Sequence, residues 1–83
     1  MTDIEDDLKE ILIADLYIQL DRDKILSTHS LRNDLGVDSI GFVELRQQVE
    51  RRFGVAISDD DFTPENFATI STLGRLIRQR RSE

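Results

Sequence analysis

The 83-residue chain has no cysteine and no tryptophan, and it holds one proline, one methionine, one tyrosine and one histidine. Without cysteine there is no disulfide framework, no thiolate nucleophile and no zinc-thiolate site, so any thiol chemistry must be imported. The lone histidine, His29, leaves one imidazole for acid-base work. No apolar run approaches the roughly 18 to 20 residues that cross a bilayer, and the acidic opening MTDIEDDLKE is the reverse of a basic signal-peptide start. These absences point to a cytoplasmic protein without stable membrane insertion. The glycines form no phosphate-cradling loop.

What is present describes a folded domain. Apolar residues make up 39% and charged residues 34%, away from the low-hydrophobicity composition of disorder. At this length one small domain, 1–83, is expected and two are excluded. The net charge of −6 is unevenly spread: 7 Lys/Arg face 16 Asp/Glu through Glu65, then 4 face 1. An acidic body repels phosphate backbones, which argues against nucleic acid as a partner and for basic protein surfaces. The basic ending RLIRQRRSE suits the negative C-terminal end of a last helix.

Thr2 followed by Glu5 has capping-box spacing, and Ile4, Leu8, Ile11, Leu12 and Leu16 form one apolar stripe. A first helix over Asp3 to Ile18 is predicted. Residues 19 to 37 lose the periodicity and carry turn compositions, giving a long loop with Leu20, Ile25, Leu26, Leu31, Leu35 and Val37 as candidate anchors. Asp38 is a competent N-cap and Gly54 a C-terminal stop, which bound a second helix over Ser39 to Phe53. Pro64 starts a short helix to about Ala68, and Ser71 can cap a last helix with Leu73, Leu76 and Ile77 inside. The expected fold is all-α: a small four-helix bundle of three longer helices and one short one, with the long loop between helices 1 and 2. Its predicted core is Leu8, Ile11, Leu12, Leu16, Leu35, Leu45, Val49, Phe53, Phe67, Ile70, Leu73 and Ile77.

Few catalytic chemistries fit. Ser39 with His29 lacks the third group that orients a base, and Val37 stands where a nucleophile elbow needs its first glycine. DRDKILSTHSLR lacks the central glycine and terminal glutamate of a calcium loop, and DDD (Asp59 to Asp61) reads as a solvated acidic run, so no metal site is expected. Ser39 itself admits two roles, helix start or modification site. Asp38 already supplies the cap, which leaves the Ser39 hydroxyl at the positive end of a helix, where a phosphodiester is electrostatically favoured.

The stretch LRNDLGVDSIGFVELRQQVERRFGVAISD, Leu31 to Asp59, resembles the acyl carrier proteins. The matching positions are Asp34, Leu35, Gly36, Asp38, Ser39, Val43, Glu44, Leu45, Phe53, Gly54, Ile57 and Asp59. The resemblance implies that Ser39 is the attachment serine for 4'-phosphopantetheine, transferred from coenzyme A by a separate phosphopantetheinyl transferase. It further implies a non-enzymatic, monomeric carrier of acyl thioesters that serves acyl-loading, condensing or transferring enzymes in fatty-acid, polyketide or specialised lipid synthesis. Asp38, Ile40, Val43 and Glu44 would form the partner-recognition surface. An aminoacyl or peptidyl carrier, or an unmodified helical interaction module, stays open beside it. The second helix departs from the family's strongly acidic form: Arg46, Arg51 and Arg52 balance Glu44 and Glu50, and Gly41 and Gln47 replace frequent acidic and apolar choices.

Overall fold

A computed structural model describes residues 4–81. The described residues form three α-helices, α1 (Ile4–Ala14), α2 (Ser39–Phe53) and α3 (Ile70–Arg81), with a 3-10 turn at Arg22–Lys24. The expected cap Thr2 and helix start Asp3 lie outside the described residues. Helix α1 packs against both α2 and α3. Leu8, Ile11, Leu12, Leu45, Val49, Leu73 and Ile77 are at most 1% exposed, so the stripes of all three helices meet in one core.

Helix α1 ends at Ala14, four residues before the predicted Ile18. Tyr17 adopts φ 59°, a left-handed conformation uncommon for a bulky residue. Around it the Leu16 N–H donates to the Ile11 carbonyl at 3.2 Å and the Ile18 N–H to Leu12 at 3.0 Å. Leu16 and Ile18 therefore pack on the core from outside the helix. An apolar stripe can continue past a helix when the chain folds back over it, and periodicity does not see the reversal.

The loop to α2 is packed down, as its length requires. Ile25, Leu31, Leu35 and Val37 are buried, whereas the expected anchors Leu20 and Leu26 are 37% and 53% exposed. Its backbone pairs with the lead-in to α3: the Leu31 N–H donates to Ala68 at 2.9 Å and the Ser71 N–H to Ser27 at 3.0 Å. The Asp34 carboxylate accepts the Ser30 N–H at 2.7 Å, and Gly36 at φ 74° turns the chain so that the Val37 N–H reaches the Leu31 carbonyl. Asp-Leu-Gly is thus a lock, an anchor and a turn, and it delivers the chain to Asp38.

Two other expectations need correcting. Residues 64–67 form turns, not a helix: Thr63 Oγ1 accepts the Asn66 N–H and the Thr63 carbonyl accepts the Phe67 N–H, but no further turn propagates. The cap of α3 is Thr69, not Ser71. Thr69 Oγ1 accepts the Thr72 N–H while Thr72 Oγ1 accepts the Thr69 N–H, a reciprocal pair that starts the helix at Ile70. In the acidic run Asp59 and Asp60 are exposed, as expected, while Asp61 is partly buried. Asp59 pairs with Arg46 at 3.1 Å, and Asp61 takes a two-pronged contact from Arg80, with both bonds at 2.8 Å.

Of the predicted core, Leu16 and Phe53 are only half-buried and lie against the cluster. Phe53 closes the end of α2, with the Arg81 guanidinium 5.9 Å from its ring centroid. Phe53→Ala is therefore expected to cost less than the roughly 3 to 5 kcal/mol of a fully buried phenylalanine, and less than Leu45→Ala at about 2 to 5 kcal/mol; urea denaturation ranks the two. The Arg80 hydrogen bonds hold the Asp61 carboxyl below its ordinary range, with Ser58 assisting. Because the folded-state value is lowered, the contribution of Asp61 is present above the unfolded-state value near 3.8 and lost as pH falls through the folded one. Asp61→Asn should be less stable than wild type at neutral pH, and urea titrations should show that gap closing below about pH 4.

Candidate functional site

The site is built on the start of α2. Asp38 has extended backbone angles and its side-chain oxygen accepts the Gly41 N–H at 2.7 Å, while its carbonyl accepts the Phe42 N–H at 2.9 Å. The carboxylate thereby satisfies one of the amides that no helix carbonyl can reach. Ser39 follows as the first helical residue, and it is exposed. Cap and hydroxyl are thus separate residues, as the sequence suggested.

Beside Ser39 runs a groove of about 520 Å³, bounded by α2, the 62–68 segment and the 30–33 turn. Phe42, Phe62 and Phe67 form an aromatic part of its walls. Phe67 takes the edge of Phe42 at 6.5 Å between ring centroids and of Phe62 at 4.9 Å, both T-shaped. Val43 and Pro64 extend the apolar lining, while Arg32, Asn33 and Thr63 supply polar groups. Arg46 on α2 holds the outer wall in place. It donates to the Ile57 carbonyl and to Asp59, and its guanidinium sits 5.0 Å above the Phe62 ring. Glu50, one turn on, accepts the Ile57 N–H at 2.8 Å.

Of the four residues expected to recognise partners, Ile40, Val43 and Glu44 are spaced i, i+3 and i+4 on one face of α2, with Asp38 at its start, and that face borders two grooves. Val43, 49% exposed, lies in the aromatic groove with Ser39. Asp38, Ile40 and Glu44 lie in a second groove on the other side of α2, beside the end of α1. Ile40 is 80% exposed, and Glu44 accepts a hydrogen bond from Gln48 at 2.8 Å. Phe42, Phe62, Thr63 and the wall-holding Arg46 were not singled out from sequence. Phe42 was within reach of such reasoning, because it stands one turn from Ser39 on the same helix face. Phe62 and Phe67 reach the groove only through the tertiary fold.

His29 does not supply a base to Ser39. Its Nδ1 accepts the Leu26 N–H at 3.0 Å, and it does not line the groove. Among the described residues no cluster of His, Asp or Glu could hold a metal, and no helix is long and apolar enough to cross a membrane. The arrangement can present a hydroxyl to an incoming group and offer that group a groove.

A family model described as the phosphopantetheine attachment site matches residues 6–78. The chain is 48% identical over 52 residues to an acyl carrier protein of Lactobacillus johnsonii. That alignment covers 59% of this chain, and the chain spans 65% of the relative's length. The fold is similar to the solution structure of a holo acyl carrier protein from Nitrosomonas europaea, with a TM-score of 0.84, 20% identity and 100% of both chains covered. At that identity the likeness carries the fold.

The division of labour at the helix start is measurable. Asp38→Ala should lose about 1 kcal/mol of stability with its cap bond, whereas Ser39→Ala should change stability by less than about 1 kcal/mol; chemical denaturation of the two variants separates them.

Proposed function

The chain belongs to the phosphopantetheine attachment-site family, and on that basis we propose that Ser39 carries the arm and that the protein works as an acyl carrier. The observation that carries this assignment is the exposed Ser39 hydroxyl on a helix start that Asp38 already caps, facing an aromatic groove. A serine required only for capping would be redundant there.

The residues present suit the group. A phosphodiester on Ser39 Oγ would be held at the positive end of the 15-residue α2, where first-turn amides lack helix partners. Arg32, Asn33 and Thr63 offer polar contacts to an arm entering the groove, and the ring walls offer apolar ones to its cargo. In the attachment, Ser39 Oγ forms a bond to the phosphorus of the pantetheine phosphate in coenzyme A. The phosphoanhydride bond breaks, adenosine 3',5'-bisphosphate departs with the bridging oxygen, and the serine proton passes to a base of the transferase. When attached, the arm supplies the thiol that a cysteine-free chain lacks and bears acyl groups as thioesters. The chain's own part is to present Ser39, shelter the arm and be read by partner enzymes; tethering raises the effective concentration of the cargo at each docked active site. Chemistry on the cargo is left to those partners.

Incubation with coenzyme A and a phosphopantetheinyl transferase should add one phosphopantetheine mass to the wild type and none to Ser39→Ala, read by intact-mass spectrometry. No mass gain on a folded wild-type protein with several transferases contradicts the assignment.

A further inference from the structure

The groove beside Ser39 has one charged residue on its walls, Arg32. It stands in a body where acidic residues outnumber basic ones 16 to 7 through Glu65. The second groove is its electrostatic opposite, bordered by Asp15, Asp38 and Glu44 and by no cation. A charged group fixed to the Ser39 oxygen therefore meets a cation on one flank and three carboxylates on the other.

Arg32 is also uncommitted. Its side chain is exposed and, among the described residues, has no carboxylate partner, whereas Arg22, Arg46, Arg52 and Arg80 each grip one. The turn that presents it is nonetheless fixed. Leu31 is fully buried and its N–H pairs with Ala68 at 2.9 Å, the Asn33 N–H donates to Ser30 Oγ at 3.0 Å, and the Asp34 carboxylate accepts the Ser30 N–H at 2.7 Å. These contacts come from the residues on either side of Arg32, so the fold needs the turn but not the guanidinium.

An arm attached to Ser39 places a phosphodiester anion on Oγ, at the rim of this groove. Its charge adds to an acidic surface, with Asp38 the preceding residue, and the positive end of α2 offsets part of the repulsion. A guanidinium meets a phosphate with two parallel N–H donors, a geometry that an ammonium lacks. We propose that Arg32 is the counter-ion of that phosphodiester, and that the pair seats the arm against Phe42 and Phe67 instead of toward Asp15 and Glu44. Arg32 is thus a positioning residue that decides on which flank of α2 the arm rests. The inference rests on the carrier role argued above and gives the arm a direction.

NMR of wild type, Arg32→Gln and Arg32→Lys, each loaded to one added phosphopantetheine mass, tests it. The readouts are nuclear Overhauser contacts from the geminal methyls of the arm and the Arg32 Nε–Hε signal. All three proteins should melt alike before loading. In wild type the Arg32 signal should move on loading, and methyl contacts should reach the Phe42 and Phe67 rings. Those contacts should weaken about twofold or more in Arg32→Gln, the scale of one exposed ion pair, and recover in part in Arg32→Lys. Added salt should weaken them in wild type and leave Arg32→Gln unchanged. Equal contacts in wild type and Arg32→Gln, or contacts to Tyr17 and Ile40 instead, overturn the seating, while the mass gain leaves the carrier role intact. An Arg32 signal that moves only once a dicarboxylic acyl group is on the thiol assigns the cation to the cargo and overturns the phosphate pairing. A wild type that never gains the mass overturns the carrier role and the seating together.

Discussion

The hydrogen bond from the Gly41 N–H to the Asp38 carboxylate, 2.7 Å long, fixes where α2 begins, and the functional surface depends on it. If the helix began one residue later, Ser39 would be the cap and its hydroxyl would be committed to a backbone amide. With Asp38 in that role, the helix starts with a serine whose oxygen is left to solvent. The loop before it serves the same end. Buried Leu35 and Val37, the Asp34 lock on Ser30 and the left-handed Gly36 hold the chain so that Asp38 arrives in the extended geometry a cap requires.

From that start, α2 organises both of its flanks. On one side Arg46 and Glu50 grip Ile57 from both ends of its peptide groups, and Arg46 steadies Phe62. This grip stands in for the regular helix that the 57–67 segment lacks, and it makes an aromatic wall out of a loop. Arg80 on α3 grips Asp61 from behind. These part-buried contacts position a segment whose Ile57 and Phe67 contribute the apolar burial. On the other side Gly41 leaves room for the Val37 side chain and the capping Asp38 carboxylate.

The sequence was most readable where the physics is local. Asp38 and Gly54 bound α2 at the predicted residues, because a side-chain cap and a left-handed C-terminal glycine act within one turn. The end of α1 was misplaced because Leu16 and Ile18 keep their apolar register while the chain reverses at Tyr17. Thr69 and Ser71 are both competent caps, and the reciprocal Thr72 bond, together with the pairing of the Ser71 N–H to Ser27, decides between them. Arg46–Asp59 and Arg80–Asp61 join residues 13 and 19 positions apart, so the partners of Asp59 and Asp61 are not readable from the run itself. Ser39 was legible through its motif, and the two grooves flanking it were not, since each is assembled from segments distant in the chain.

The central claim is that Asp38 holds the start of α2 on its own, so that Ser39 can accept a phosphodiester without rearranging the fold. Comparison of amide NMR spectra before and after loading, with the phosphorus signal of the product, tests this most directly. The account predicts one phosphodiester resonance, amide shifts confined to the first turn of α2 and the residues lining its grooves, and a Gly41 amide that keeps its hydrogen bond. Loss of that bond, or shifts spread through Leu8, Leu12 and Ile77 in the core, would contradict it.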